Sequence, residues 1–103
     1  MNLFQKLFGG APAVDLKSMI DEGAFLVDVR TPGEFIEGHV KGSVNIPLDI
    51  VTQHLAKFKD KKNIIVFCRS GNRSGQAKAI LEQNGLTNVV NGGTWQDVAQ
   101  FIK

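Results

Sequence analysis

The sequence predicts one α/β domain, a three-layer α/β/α arrangement in which helices cover both faces of a central parallel sheet of four to five strands. Three observations lead there. Short apolar runs with β-branched residues (Phe25-Leu26-Val27-Asp28-Val29, Ser43-Val44-Asn45-Ile46, Asn63-Ile64-Ile65-Val66-Phe67 and Asn88-Val89-Val90-Asn91) alternate with stretches whose apolar residues recur at helical spacing. The two longest of these runs are nearly continuous in apolar residues, the pattern of strands buried on both faces of a sheet. A chain of 103 residues supports one hydrophobic core and is too short for two such domains in tandem.

Taken in order, residues 1–12 read as an N-terminal extension and linker, ending in Gly9-Gly10-Ala11-Pro12, and residues 13–103 as the domain. Ala13-Val14 is a candidate fifth strand, at the sheet edge. Asp15 is placed to cap a helix whose Leu16, Met19 and Ile20 share one face, and Gly23 stops it. The run from Phe25 is a buried strand that ends at Asp28-Val29-Arg30, after which Thr31-Pro32 turns the chain. Glu34 to His39 reads as a helical turn ended by Gly38, followed by the strand Ser43–Ile46. Pro47 opens a third helix with a core-facing stripe of Leu48, Val51, Leu55 and Phe58, in which His54 faces solvent. Lys57, Lys59, Lys61 and Lys62 surround Asp60 and read as a solvated turn. Asn63–Phe67, the most apolar strand, belongs at the sheet centre. A helix from about Ser74 carries Ala77, Ile80 and Leu81 inward and stops at Asn84-Gly85. After the strand Asn88–Asn91, Gly92-Gly93 lets the backbone pass close to another loop. Thr94 with Asp97 then resembles an N-terminal cap for a last helix that packs through Trp95, Val98, Phe101 and Ile102. Trp95 either joins that packing or walls a pocket at the rim.

Composition narrows the function classes. A hydrophobic fraction of 43% and a charged fraction of 21% are those of an ordinary globular protein, and no apolar run approaches the length of a membrane span. The net charge of +2 is too small to imply a nucleic-acid partner. Met1–Phe8 has apolar residues at 3, 4, 7 and 8 but is broken by Gln5 and Lys6, so a short helical extension is expected in preference to a signal peptide or a membrane anchor. The single cysteine cannot form an internal disulfide, so a reducing cytoplasm is the expected setting. A monomer is expected. One cysteine and two histidines at unrelated spacings make a metal site improbable, and no cofactor is implied.

That cysteine is the focus of the sequence. Cys68-Arg69-Ser70-Gly71-Asn72-Arg73-Ser74 joins the most apolar strand to a helix, and ligands of open α/β sheets gather at this carboxyl rim. A buried cysteine after a strand is often inert core. Here, however, the loop offers backbone N–H groups that can curl into an anion nest, a glycine that permits the curl, a helix N-terminus and two guanidinium groups. All favour a thiolate, the nucleophilic form. Asp28 and Arg30 should share the rim in a bracing role, Asp28 accepting loop N–H groups and Arg30 pairing with a carboxylate such as Glu34. His39 is read as structural, bonding its own turn, because the loop explains thiolate formation without a base.

The loop Cys68-Arg69-x-Gly71-x-Arg73-Ser74 resembles the active-site loop of the rhodanese family, sulfurtransferases that carry sulfur as a cysteine persulfide. Asp28-Val29-Arg30 with Glu34-Phe35, then Gly38-His39-Val40-x-Gly42-Ser43-Val44-Asn45-Ile46-Pro47, then Asn91-Gly92-Gly93 follow the family's order and spacing from about residue 13 onward. The resemblance implies a rhodanese-like fold and a two-step reaction. Cys68 would take a sulfane sulfur from a small anionic donor such as thiosulfate and pass it to cyanide in assay, or to a thiol or sulfur-carrier protein in the cell. The loop residues Arg69, Ser70, Gly71, Asn72, Arg73 and Ser74 would bind the donor, and Asp28, Arg30, Glu34 and His39 would support the rim. Arg73 would be tied to Glu34 or Asp28, leaving Arg69 freer.

Two rival readings fit the loop less well. Four residues separate Cys68 from Arg73, one fewer than in cysteine phosphatases of related form, and no aspartate is obviously placed as a general acid. A non-catalytic docking module on the same scaffold would be expected to lack the cysteine, which is intact here.

Overall fold

The structure, a computed structural model, describes residues 15–102. The expected extension 1–12 and the edge strand expected at Ala13-Val14 lie outside the described residues. Among the described residues four parallel strands, β1 (Phe25–Asp28), β2 (Val44–Asn45), β3 (Ile64–Cys68) and β4 (Val89–Thr94), form one sheet in the order β2-β1-β3-β4. Helices α1 (Leu16–Asp21), α2 (Pro32–Glu37), α3 (Asn72–Gln83) and α4 (Trp95–Ala99) alternate with them, together with a 3-10 helical segment, Leu48–Phe58.

Every residue of β3 is buried, as its continuous apolar run requires. Because side chains alternate along a strand, Ile64, Val66 and Cys68 enter a core shared with Ala77 and Leu81 of α3 and with Val51 and Phe58 of the 3-10 segment. Ile65 and Phe67 point the other way, into a second core with Val98 of α4 and the half-buried Leu16, Met19 and Ile20 of α1. The three expected layers follow from that alternation. β3 lies between β1 and β4, so the strand carrying the cysteine is interior.

The ends of most elements carry the signals that predict them. Asp15 accepts from Ser18 N–H at 3.1 Å, and Thr94 accepts from Asp97 N–H at 3.0 Å. Thr31 and Glu34 form a reciprocal capping box at α2, where only a turn was expected. The third expected helix is instead a 3-10 segment with non-helical geometry at His54, which is half-buried at that break and does not face solvent freely. Its β-branched run Ile50-Val51-Thr52 disfavours a regular α-helix. The apolar stripe survives, with Val51 and Phe58 buried and Leu48 and Leu55 packed on the same core.

Two boundaries differ in ways that affect the site. Helix α3 begins at Asn72, two residues before the expected start, with Gly71 as its N-cap at φ 95°. Strand β4 runs on to Thr94 because Gly92 forms a bulge: Val66 pairs with Asn91, but Phe67 pairs with Gly93. Conversely α4 stops at Ala99, so Phe101 and Ile102 lie past its end, Ile102 still against the second core.

Gly92 is the tightest point of this layer. A Cβ there would stand 2.8 Å from Ile65 Cγ2 and 2.9 Å from Val98 Cγ2. Gly92→Ala is therefore expected to lower unfolding stability by about 1–3 kcal/mol through overpacking between β3 and α4. Urea titration followed by circular dichroism measures it, and an unchanged midpoint would show that the two elements separate at no cost.

Candidate active site

Strand β3 carries Cys68 to the carboxyl rim of the sheet, directly beneath the first turn of α3. The first N–H groups of a helix have no partner within it, and Gly71 has no side chain with which to cap them. The sulfur takes that place. Cys68 Sγ accepts from Gly71 N–H at 3.0 Å and from Ser74 N–H at 3.4 Å, and lies 3.5 Å from Ser74 Oγ. Cys68 exposes 0% of its surface. Burial pushes its pKa up, but hydrogen bonds from the Ser74 hydroxyl and from the Ser74, Ser70 and Gly71 N–H groups outweigh it and hold the thiol below its ordinary value. Among the groups that lower it, the Ser74 side chain comes first and the loop N–H groups follow, with the guanidinium groups not among these leading causes.

The loop residues divide by where they point. Gly71 and Ser74 face the sulfur. Ser70 Oγ accepts from Asn72 N–H at 3.4 Å, and Asn72 Oδ1 accepts from Gln76 Nε2 at 3.1 Å, so the Asn72 side chain is engaged along α3. Arg73 grips Glu34 with two hydrogen bonds, Nη1 to Oε1 at 2.7 Å and Nη2 to Oε2 at 3.0 Å. Of the two carboxylates considered for it, Glu34 is the one it pairs with. Arg69 is 76% exposed along its side chain and approaches Glu34 only to 4.0 Å.

The bracing residues form a second, separate group. Arg30 pairs with Asp28, Nε at 2.9 Å from Oδ1 and Nη2 at 2.7 Å from Oδ2, and not with Glu34 as expected. The two are close along the same strand end, and Arg73 already occupies Glu34. Arg30 Nη2 also donates to the Gly38 carbonyl at 2.7 Å, and its guanidinium lies 4.7 Å from the Trp95 ring centroid. Asp28 accepts the Arg30 N–H at 3.0 Å. Both residues are buried, and among the described residues no buried side-chain nitrogen or oxygen lacks a partner. His39 stacks on Phe35 with ring centroids 3.8 Å apart and bonds the Phe35 carbonyl through Nδ1 at 2.8 Å, a local contact within its own turn. An opening of about 240 Å³ beside the loop is lined by Arg30, Glu34, Glu37, Gly38, Arg69, Trp95 and Gln96. Trp95 thus both packs against the second core and walls this opening.

Two polar residues at the site were not singled out from the sequence. Asn45 of β2 donates to the Asp28 and Arg30 carbonyls at 3.0 and 2.9 Å, fixing the end of β1. Asn91 of β4 bonds Gly71, Ser74 and Gly93. Their signal was an asparagine within each strand, inside motifs read mainly for their glycines. Among the described residues no cluster of three or more His, Cys, Asp or Glu side chains is placed to hold a metal ion.

Comparison with known proteins agrees with this geometry. The rhodanese-like domain family matches residues 12–95. The chain is 43% identical over 75 residues to the thiosulfate sulfurtransferase PspE of Escherichia coli, covering 71% of this chain and 72% of that protein. It is 33% identical over 88 residues to the thiosulfate sulfurtransferase GlpE of Pseudomonas savastanoi pv. phaseolicola, covering 84% and 83%. Among solved structures, a rhodanese with anions from E. coli superposes with a TM-score of 0.68 at 40% identity, over 75% of this chain and 93% of that one.

The Glu34–Arg73 pair gives the site a measurable acid limit. Hydrogen bonds from Arg73 first, and from Thr31 next, lower the Glu34 pKa from 4.5 to about 2. A folded-state pKa below the unfolded one adds stability that is complete above the unfolded value and is lost as pH falls through the folded one. Wild type should therefore exceed Glu34→Gln in urea midpoint at neutral pH, and the gap should close between pH 4.5 and about 2. A gap that does not change with pH would show that the carboxylate's charge contributes nothing to folding.

Proposed function

The chain belongs to the rhodanese-like domain family, and on that premise we propose that it is a sulfurtransferase moving a sulfane sulfur from thiosulfate to a thiophilic acceptor through a persulfide on Cys68. The observation that carries this reading is the capping of α3 by Cys68 Sγ, with two backbone N–H groups converging on the sulfur. In the first half-reaction the thiolate attacks the outer sulfur of thiosulfate. A new S–S bond forms on Cys68, and the old S–S bond breaks with its electron pair leaving on sulfite. In the second, an acceptor nucleophile attacks the outer sulfur of the persulfide and Cys68 departs as thiolate. Cyanide, a thiol or a sulfur-carrier protein would each serve as that nucleophile.

The charge at sulfur is negative at both resting points of this cycle, thiolate and persulfide. A fixed set of N–H donors at a helix N-terminus serves both without rearranging, the general logic of preorganised electrostatic catalysis. Arg69, exposed at the rim, supplies attraction for the donor dianion, and Arg73 holds the first turn of α3 against Glu34. Because Cys68 exposes no surface, attack requires the exposed Arg69-Ser70 rim to give way to the donor. A cytoplasmic monomer is part of the proposal, its setting supported by the lone cysteine and its lack of a nucleic-acid partner by the small net charge of +2.

Cys68→Ser is expected to abolish sulfur loading while leaving the fold intact. Intact-protein mass spectrometry after thiosulfate treatment should show one added sulfur on wild type, removable by cyanide, and none on the variant. Sulfur retained by the variant would overturn the mechanism. The two arginines should separate in kinetics: Arg69→Ala raises KM for thiosulfate by about ten-fold with little change in stability. Arg73→Ala lowers stability by about 1–3 kcal/mol as well as activity, because it leaves the half-buried Glu34 unpaired. Equal melts for both variants with unchanged KM for Arg69→Ala would reverse that assignment.

A further inference from the structure

The side-chain amide of Asn91 is oriented by backbone groups. Its Oδ1 accepts from Gly93 N–H at 2.9 Å, and its Nδ2 donates to the Gly71 carbonyl at 3.1 Å. A flipped amide would set oxygen against oxygen and N–H against N–H, so only this orientation satisfies both partners. The same Oδ1 lies 2.7 Å from Ser74 Oγ. An amide oxygen only accepts, so the single proton of the Ser74 hydroxyl points at Asn91. Ser74 Oγ also stands 3.5 Å from Cys68 Sγ, and with its proton committed it offers the sulfur a lone pair. A lone pair suits a thiol, which donates S–H, and disfavours a thiolate, which needs a donor.

We propose that Asn91 is a positioning residue of the sulfur site: its amide holds Gly71 and Ser74 in place and keeps the Ser74 hydroxyl proton off the sulfur until Cys68 carries negative charge. Gly71 and Ser74 are the two residues whose N–H groups meet Sγ, so one amide acts on both. When Sγ loses its proton to water, the hydroxyl turns from Asn91 to the sulfur and exchanges a neutral hydrogen bond for a charge-assisted one. When the sulfur is reprotonated, the hydroxyl turns back. Only hydrogen bonds change in this step. The acceptor strength at position 91 sets how readily the hydroxyl turns, and so how much Ser74 contributes to the thiolate. The charged groups around this corner are Arg69 on the loop, Arg73 on α3, Glu34 on α2, the Asp28–Arg30 pair at the end of β1, Asp49 on the 3-10 segment and Asp97 on α4. Substitution at Asn91 leaves all of them in place.

The proposal rests on the sulfurtransferase reading for its place in turnover, but thiol reactivity tests it without any sulfur transfer. A protein that alkylates as expected and transfers no sulfur would overturn that reading and leave this one standing. The experiment measures the pH dependence of iodoacetamide alkylation on the full chain, whose only cysteine is Cys68. Asn91 is varied to Ala and to Asp, each with and without Ser74→Ala. General effects of a loosened loop or an added carboxylate act with or without the hydroxyl and cancel in the comparison. With Asn91→Ala, removing the hydroxyl should cut the thiolate fraction about three- to ten-fold more than it does in the presence of Asn91. With Asn91→Asp, a stronger acceptor, it should cut it less. The same Ser74→Ala shift whatever stands at position 91, or the reverse order, would overturn the proposal. Asn91 is exposed, so folded variants are expected, and circular dichroism checks them. Either substitution alone decides the question.

Discussion

A sulfur atom that is buried and yet must bear charge can exist only where fixed donors replace water, and that constraint explains why this corner of the protein is built as it is. The donors come from the first turn of α3, where N–H groups are available because helix geometry leaves them unpaired. Gly71, at φ 95°, turns its N–H onto the sulfur in a conformation that a side chain would strain. Its neighbour across the sheet is again a glycine: a Cβ on Gly71 would lie 3.5 Å from the Gly93 Cα. Gly93 reaches that place because the bulge at Gly92 shifts the register of β4 just before the rim. The glycines of two distant segments therefore answer one requirement, the close approach of two backbones around a sulfur.

Glu34 ties this cradle to the rest of the domain. One carboxylate oxygen, Oε1, accepts from the Thr31 N–H at 3.1 Å, the Thr31 hydroxyl at 3.1 Å and Arg73 Nη1 at 2.7 Å. It completes the cap of α2 and anchors the first turn of α3 at once, so an error in either helix displaces the other. The Asp28–Arg30 pair is bonded separately, at the end of β1. The Arg30 Nε and Nη2 are engaged by Asp28 and the Gly38 carbonyl, and the guanidinium lies against the Trp95 ring. Of the cations near the loop, Arg69 alone stands largely exposed.

The sheet, its cover of helices on both faces and the place of Cys68 on the rim were legible because each depends on local pattern, whereas the single core expected is divided by the sheet into two. Continuous apolar runs mark buried strands, and the one cysteine follows the most apolar of them. What stayed hidden depends on choices between chemically equivalent partners. Arg30 and Arg73 had two carboxylates to share, and periodicity does not say which takes which; proximity along the strand gave Asp28 to Arg30. The early start of α3 depends on the sulfur acting as a cap, a role for which no helix propensity exists. The 3-10 segment kept its apolar stripe while losing α geometry, because burial of Val51 and Phe58 fixes position more strongly than it fixes hydrogen-bond pattern. Asn45 and Asn91 act mainly on groups far away in sequence, and an asparagine in a strand does not by itself say which groups it will bond.

The cradle also bears on which anion it suits. A loop that cradles a phosphoryl group on its nucleophile must set its donors, the arginine of the helix turn among them, around oxygens beyond the sulfur. Here the Gly71 and Ser74 N–H groups close on Sγ itself, and Arg73, the arginine of the helix turn, is committed to Glu34 with two hydrogen bonds. Charge localised on one sulfur is what this arrangement stabilises. The shorter spacing from Cys68 to Arg73 and the inward donors thus favour the same chemistry for one reason: a smaller ring brings its amides nearer the nucleophile than the substrate. A leaving sulfite needs no proton at neutral pH, whereas a leaving alkoxide does. On the proposed reading no such proton donor is needed, and at this site His39 is bonded to the Phe35 carbonyl and Asp28 to Arg30.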